Sequence, residues 1–263
     1  MPLFSIIVVS YNAESCILAT LNSILAQTEA DYEIIVKDAI STDRTLDLIP
    51  KHSRIRIVSQ RDTGIYDGMN QAVAASNGEY LVFMNCGDTF HDASVLRQVR
   101  KALEKEKHQP LVLYGDVYSV GITTRQPGVM SIKILAKNPL CHQSMIFSKR
   151  VFETCGNYDT SYHLMADYDL CFRVLQNNIP MKHIDVVVCD YLNDGVSACK
   201  KNKQILYREH EQILYRYVPR SVIIKNKIKR TITLVTLRSW IDSAQSPKWL
   251  RMMYRSFVGK LKN

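Results

Sequence analysis

The first 85 residues alternate between unbroken apolar runs and segments whose apolar positions recur every three or four residues. Leu3 to Ser10 carries no polar alternation, the pattern of a strand buried on both faces of a parallel sheet. It stops at Tyr11-Asn12. From Cys16 to Gln27 the apolar positions return at helical spacing among good helix formers, which predicts a helix of about three turns. Tyr32 to Lys37 reads as a second strand ending in Asp38, and Ser41-Thr-Asp-Arg-Thr45 supplies capping side chains that predict a helix through Ile49. Arg54 to Ser59 is a third strand, Gly64 to Ala75 a third helix, and Tyr80 to Asn85 a fourth strand. Strand and helix taking turns in this way predict a doubly wound α/β sheet. Further on, Leu111 to Val117 and Asp185 to Asp190 read as strands, and Ala166 to about Asn177 as a helix.

Sheets of this class bind ligands beyond the carboxyl ends of their strands. The residues at those ends are Tyr11-Asn12, Asp38, Arg61-Asp62 and Asn85-Cys86-Gly87-Asp88. Any one of them is explained equally well as an ordinary turn former. Together they make a carboxylate-rich edge, which repels a bare phosphate, so an anionic ligand there calls for a divalent cation. Oxygen-only donors point to Mg2+ or Mn2+. Neither GxGxxG nor GxxxxGK[ST] occurs, which removes the main support for dinucleotide or P-loop binding. In Ala166-Asp-Tyr-Asp169, the acids at a helix start serve as caps or dipole partners. For Asp167 a general base facing an acidic cleft is the stronger alternative.

Charge adds a second feature. The 263 residues hold 34 Lys and Arg against 25 Asp and Glu, a net charge of +9. Residues 1–199 carry 18 basic and 22 acidic side chains, whereas residues 200–263 carry 16 and 3. The expected organisation is a mildly acidic domain over 1–199 and a basic helical extension over 200–263. In the extension, Ile224, Ile228, Ile232 and Val235, then Trp249, Met253 and Phe257, fall at helical spacing among Lys and Arg. That pattern suits a solvated helix packed on the domain or an in-plane helix on an anionic leaflet. Nucleic acid has charge in its favour but no reading motif. No run approaches the length of a membrane span, and Met1-Pro-Leu-Phe lacks the basic start of a secretory signal. A cytoplasmic protein at the inner face of the membrane is the expectation. Seven scattered cysteines without a CxxC pair fit reduced thiols better than disulfides or zinc.

Five segments, in this order and spacing, resemble the inverting glycosyltransferases of family 2: SIIVVSYN (5–12), VKDAISTDRT (36–45), RDTGIYDGMNQAVAASNGEYLVFMNCGD (61–88), CHQSMIFSKRVFETCGNYD (141–159) and ADYDLCFR (166–173). The resemblance covers about residues 3–198 and implies a GT-A fold, a doubly wound mixed sheet built to hold a nucleotide-diphosphate sugar. It implies that Ser10, Tyr11 and Asn12 line the nucleotide pocket, that Asp38 contacts the base, usually uracil, and that Asp62, Gly64, Asp67 and Asn70 approach the donor. Asn85 and Asp88 fall on the metal-binding DxD-type motif, with Asp88 its carboxylate and Mg2+ or Mn2+ its ion. Asp167 falls on the catalytic base, and His142-Gln143 on a pair near the acceptor side, where a satisfied structural histidine is an equal reading. Gly87 and Ala166 stand where the family often has acids. The implied activity is transfer of a sugar, from a UDP donor above all, to a hydroxyl of a glycan or lipid-linked acceptor in surface polysaccharide synthesis. A non-catalytic nucleotide-sugar or membrane-binding module with a decayed site is the alternative.

Overall fold

The N-terminal apolar run becomes β1 (Phe4–Ser10) in the computed structural model, which describes residues 1–106, 110–119, 121–191 and 199–223. β1 lies between β2 (Tyr32–Asp38) and β4 (Tyr80–Phe83), parallel to both, and β3 (Ile55–Ser59) extends the parallel part beyond β2. Across β4 the sheet turns mixed. β8 (Met145–Ser148) runs antiparallel to β4 and to β6 (Val112–Ser119), β9 (Met181–Asp190) is parallel to β6, and β5 (Thr89–Phe90) closes the edge antiparallel to β9. With β7 (Ile122–Thr124) hairpinned onto β6, nine strands form one sheet in the order β3-β2-β1-β4-β8-β6-β9-β5. Gly115 interrupts β6 where a Cβ would collide with the carbonyl of Val186, and the β6–β9 register shifts there. A glycine inside a strand permits such close backbone approach.

Both faces of the sheet are covered, as the uninterrupted apolar strands require. Phe4, Ile6, Val8, Ile34 and Val36 share one buried cluster with Ile17, Leu21 and Ile24 of α1 (Ile17–Leu25) and Val95, Leu96 and Val99 of α3 (Val95–Leu103). Helix α2 (Ile65–Ala75) packs on β1 and β2. Two expectations change here. Residues 41–49 form turns, not a helix. Their capping oxygens are engaged elsewhere: Ser41 Oγ and Thr45 Oγ1 accept from the N–H groups of Asn12 and Ala13, and Asp43 accepts from that of Glu14. In addition, α3 lies outside the expected elements, although Val95, Leu96, Val99 and Leu103 recur at helical spacing.

The chain continues through the short α4 (Ile132–Leu135) and α5 (Arg150–Cys155), then α6 (Ala166–Gln176) and α7 (Lys203–Tyr217). One compact unit spans Met1–Ile213 and a second Leu214–Asn263. The start of the basic segment, through Ile213, therefore belongs to the unit that carries the sheet. The amphipathic patterns from Ile224 onward lie outside the described residues. Among the described residues no helix is long and apolar enough to cross a membrane.

Candidate active site

At the carboxyl edge β1 and β2 end in register, Ser10 opposite Asp38. Asp38 is fully buried, and its carboxylate accepts from Ser10 Oγ (3.3 Å), from the N–H (2.9 Å) and hydroxyl of Ser41, and from Ser59 Oγ (3.4 Å). These bonds organise the loops that follow the strands. Asn12 adopts a left-handed conformation (φ 49°) and accepts from the N–H of Thr42 through Oδ1 at 2.9 Å. Ile40 is also left-handed (φ 61°), where a β-branched side chain is a strained exception. Tyr11 is 64% exposed beside them. Strain of this kind gathers where backbone is held for a purpose.

The Asn85–Asp88 turn sits next to that edge. Thr20 of α1 fixes it, its hydroxyl accepting from the N–H of Gly87 and donating to the carbonyl of Asp88, both at 2.9 Å. Gly87 has φ 105°, a region that glycine enters freely and side-chain-bearing residues do not. The departure at Gly87 thus has a conformational reason. Asp88 is 5% exposed and accepts from Gln143 Nε2 at 2.8 Å. Asn85 Oδ1 is buried without a partner among the described residues. Burial pushes the Cys86 thiol up, helped by Cys16 and by the carboxylates of Asp38 and Asp88. No three His, Cys, Asp or Glu side chains gather as a metal group among the described residues. A carboxylate and an orphaned amide oxygen in one turn are still donors of the kind that a hard cation takes.

From Gln143 the site continues into a buried aromatic block. His142 Nε2 lies 2.8 Å from the Tyr158 hydroxyl, and Phe83, Phe147 and Phe152 pack around the pair. Burial lowers the His142 pKa against the opposing pull of Asp167, so the ring is neutral at pH 7. The ring of Tyr66 stands 5.5 Å from that of Tyr158, and its hydroxyl donates to Asp167 Oδ1 at 2.7 Å. Burial, then the Asp167 charge, raises both phenols, which keeps them protonated donors. Asp167 lies in the first turn of α6 and is only partly buried. Its neighbour Asp169 is structural: it pairs with Arg173 at 2.7 Å, and that guanidinium also holds the carbonyls of Cys155, Gly156 and Asn157.

The remaining expected donor residues frame α2. Asp62 pairs with Lys37 Nζ at 2.8 Å and accepts from the N–H of Gly64 at 3.2 Å. Gly64, at φ 146°, opens α2, and a Cβ there would meet nothing within 4 Å. Asp67 caps this end by accepting from Thr63, whose backbone N–H bond is the main cause of its lowered pKa. Asn70 has both amide atoms on the backbone of Tyr158, each at 3.0 Å, so it acts as a tie between α2 and the aromatic block. Thr63, Gly64 and Tyr66 face Thr160, Tyr162 and His163 across a shallow hollow.

A chain of contacts leads from Asp88 to Gln143 and, through its chain neighbour His142, to Tyr158, Tyr66 and Asp167. Sequence reasoning missed Lys37, Tyr66 and Tyr158. Lys37 had a signal, the lone cation of its strand directly after the apolar run Ile34-Ile-Val36; the tyrosines had none beyond their segment.

Mixed sheet, covering helices and an acid-lined carboxyl edge define the GT-A class of nucleotide-sugar transferase folds. Solved structures share it. S. aureus TarS 1-349 in complex with UDP superposes with a TM-score of 0.61 at 20% identity, over 72% of this chain and 60% of that one. The mannosyltransferase PcManGT from Pyrobaculum calidifontis, in complex with GDP-Man and Mn2+, gives 0.60 at 16% identity, over 100% and 87%. Residues 5–156 match the model of glycosyl transferase family 2. A PGL/p-HBAD biosynthesis glycosyltransferase of Mycobacterium bovis (strain BCG / Pasteur 1173P2) is 33% identical over 215 residues, 79% of this chain and 84% of the relative. The UDP-Glc:alpha-D-GlcNAc-diphosphoundecaprenol beta-1,3-glucosyltransferase WfaP of Escherichia coli is 26% identical over 214 residues, 78% and 84%. The chain belongs to glycosyl transferase family 2 and is a glycosyltransferase.

Proposed function

We infer that this enzyme transfers a sugar, with inversion, from a UDP-sugar to a hydroxyl of a glycan or lipid-linked acceptor in surface polysaccharide synthesis. The observation that carries this reading is the run of contacts joining Asp88 to Asp167 across one buried aromatic block. On this reading the carboxylate at one end serves the donor and the one at the other end serves the acceptor. The UDP-dependent, lipid-linked chemistry in the name of WfaP supports the choice of donor and acceptor.

In this reading Ser10, Tyr11, Asn12 and Asp38 shape the nucleotide pocket, and Asp38, whose buried carboxylate is taken up by Ser10, Ser41 and Ser59, does so by ordering the loops and not by the direct base contact expected of it. Asp62 and Gly64 present the start of α2 to the donor, and Asn70 keeps the block in place. Asp88 and Asn85 would hold Mg2+ or Mn2+, which supplies charge compensation for the diphosphate leaving group. Tyr66 occupies Asp167 Oδ1, which leaves Oδ2 to take the proton of the acceptor hydroxyl. The oxygen so activated bonds to the anomeric carbon as the bond from that carbon to the diphosphate breaks on the opposite face. Gln143 steadies Asp88, and neutral His142 holds Tyr158 at the acceptor side. The basic segment 200–263 suits contact with an anionic membrane, and the expected location is the cytoplasmic face of that membrane.

Titration of the whole chain with UDP and GDP, with and without Mn2+, tests the donor side. UDP should bind, and more tightly with Mn2+. Nucleotide release from UDP-glucose and UDP-GlcNAc tests the chemistry, Asp167→Asn lowering it by about 10²–10⁴-fold with UDP affinity unchanged. Absence of both nucleotide binding and turnover ends the reading.

A further inference from the structure

Helix α6 begins without a local cap. Its N-cap residue is Met165, which offers no side-chain oxygen, although the turn it opens carries Asp167. The free N–H groups at a helix start need an acceptor. Just ahead of that uncapped start the chain is held from far along the sequence: Glu209 of α7, 2% exposed, takes the N–H of His163 on Oε1 at 2.8 Å and that of Leu164 on Oε2 at 2.9 Å. Both oxygens of one carboxylate are thus committed to the segment leading into Asp167. The next residue of α7, His210, stacks on Tyr168 at 5.4 Å with the rings 13° apart, and Ile213 is fully buried one turn on. Glu209 lies outside residues 5–156, the part matched to the family model.

We propose that Glu209 is a positioning residue for the transfer reaction: its bidentate grip on the His163 and Leu164 amides sets where the first turn of α6 places Asp167. The inference rests on the reading of Asp167 as base. A carboxylate near a helix start is also favoured by the helix dipole, so the grip and the field act in the same direction. Tyr66 holds the Asp167 carboxylate from the α2 side, and Glu209 holds the segment leading to it from the α7 side, so the two together limit how far the base drifts from the acceptor oxygen. Misplacement of a catalytic group by about 1 Å can lower a rate by about 10²-fold.

The test uses the full chain and four variants: Glu209→Ala, Glu209→Gln, Asp167→Asn and the double variant Asp167→Asn/Glu209→Ala. Steady-state nucleotide release is read with the fastest of UDP-glucose, UDP-GlcNAc and GDP-mannose plus Mn2+, and amide hydrogen exchange is read at His163, Leu164 and the first turn of α6. Glu209→Ala should lower kcat by about 10–100-fold, leave UDP affinity within about twofold, and expose those amides to exchange. Glu209→Gln, which keeps one acceptor oxygen, should fall between and serves if the alanine variant does not fold. In the Asp167→Asn background Glu209→Ala should add nothing, because its effect passes through the base. Equal losses in both backgrounds, or unchanged kcat with unchanged exchange, overturn the proposal. If no donor turns over, unchanged exchange at both His163 and Leu164 in Glu209→Gln overturns it alone. Wild-type activity in Asp167→Asn would instead overturn the assignment of the base, a separate outcome.

Discussion

Removing the carboxylate of Asp62 separates a structural role from a donor-binding one. Lys37 has a fully buried side chain on β2, and its ammonium has three acceptors: Asp62 Oδ2 at 2.8 Å, the Asp38 carbonyl at 3.0 Å and the Gln60 carbonyl at 2.6 Å. At 2.8 Å and an effective dielectric of about 20 the pair attracts by about 6 kcal/mol, which burying the two ions largely offsets. The net worth of the pair is small, yet the cost of breaking it is large. Asp62→Asn leaves the buried ammonium uncompensated, a loss of about 3–5 kcal/mol. Two backbone carbonyls persist as acceptors, so about 3 kcal/mol is expected, or a fall in Tm of about 6–12 °C for a unit of this size. The assay is urea unfolding of Asp62→Asn beside Lys37→Met/Asp62→Asn. The double variant has no buried charge and should recover most of the loss, while the amide oxygen introduced at position 62 still accepts from the N–H of Gly64. A single-variant cost under about 1 kcal/mol, or a double variant no better than the single, refutes the argument. UDP affinity measured on the same proteins then reads the donor role directly.

Two further outcomes follow from the aromatic block. His142 has a pKa lowered by burial from 6.5, so the unfolded chain binds its proton first as the pH falls. Stability should decline below about pH 6.5 until the folded-state value is passed, by up to about 1.4 kcal/mol per pH unit from this residue; denaturant melts of His142→Asn between pH 5 and 7 should be flatter, and an equal slope would exclude His142 as the source. Tyr66→Phe removes the 2.7 Å bond to Asp167. A hydrogen bond to a charged group contributes about 1.5–3 kcal/mol, so kcat should drop by about tenfold or more with UDP affinity unchanged, and an unaltered kcat would remove Tyr66 from the mechanism.

What the sequence made legible follows from how local each signal is. The strands of the parallel half were readable because burial on both faces leaves continuous apolar runs, and the carboxyl-end residues were readable because ligand placement in such sheets is a rule of topology. The segment 41–49 misleads for a physical reason: Ser41, Asp43 and Thr45 are good caps, and nothing local says that their oxygens serve the backbone of Asn12, Ala13 and Glu14, about thirty residues earlier. Glu209 was unreadable for the same reason, its partners being 45 and 46 residues away. Tyr66 and Tyr158 belong to a block assembled from α2, β4, β8 and the loop before α6, which periodicity within any one segment does not reveal.

The two positions that depart from the family pattern do not make this a decayed site, and the carboxyl edge says why. Decay relaxes conformational demands, so an abandoned loop would shed strain and accept side chains with ordinary backbone. Here the opposite holds. Gly87 sits at φ 105° with its N–H bound to Thr20, so the turn that carries Asn85 and Asp88 keeps a geometry that only glycine adopts cheaply. Ile40 keeps φ 61° despite its branched side chain, two residues after Asp38, whose carboxylate ties the surrounding loops together through Ser10, Ser41 and Ser59. Strain persists only where surrounding bonds over-determine it, and those bonds converge on the edge that would meet the nucleotide. Relieving it with Ile40→Gly should therefore raise stability while weakening UDP binding, measured by melting and titration of the same protein; gain in both would mean that the loop is strained for no purpose at this site.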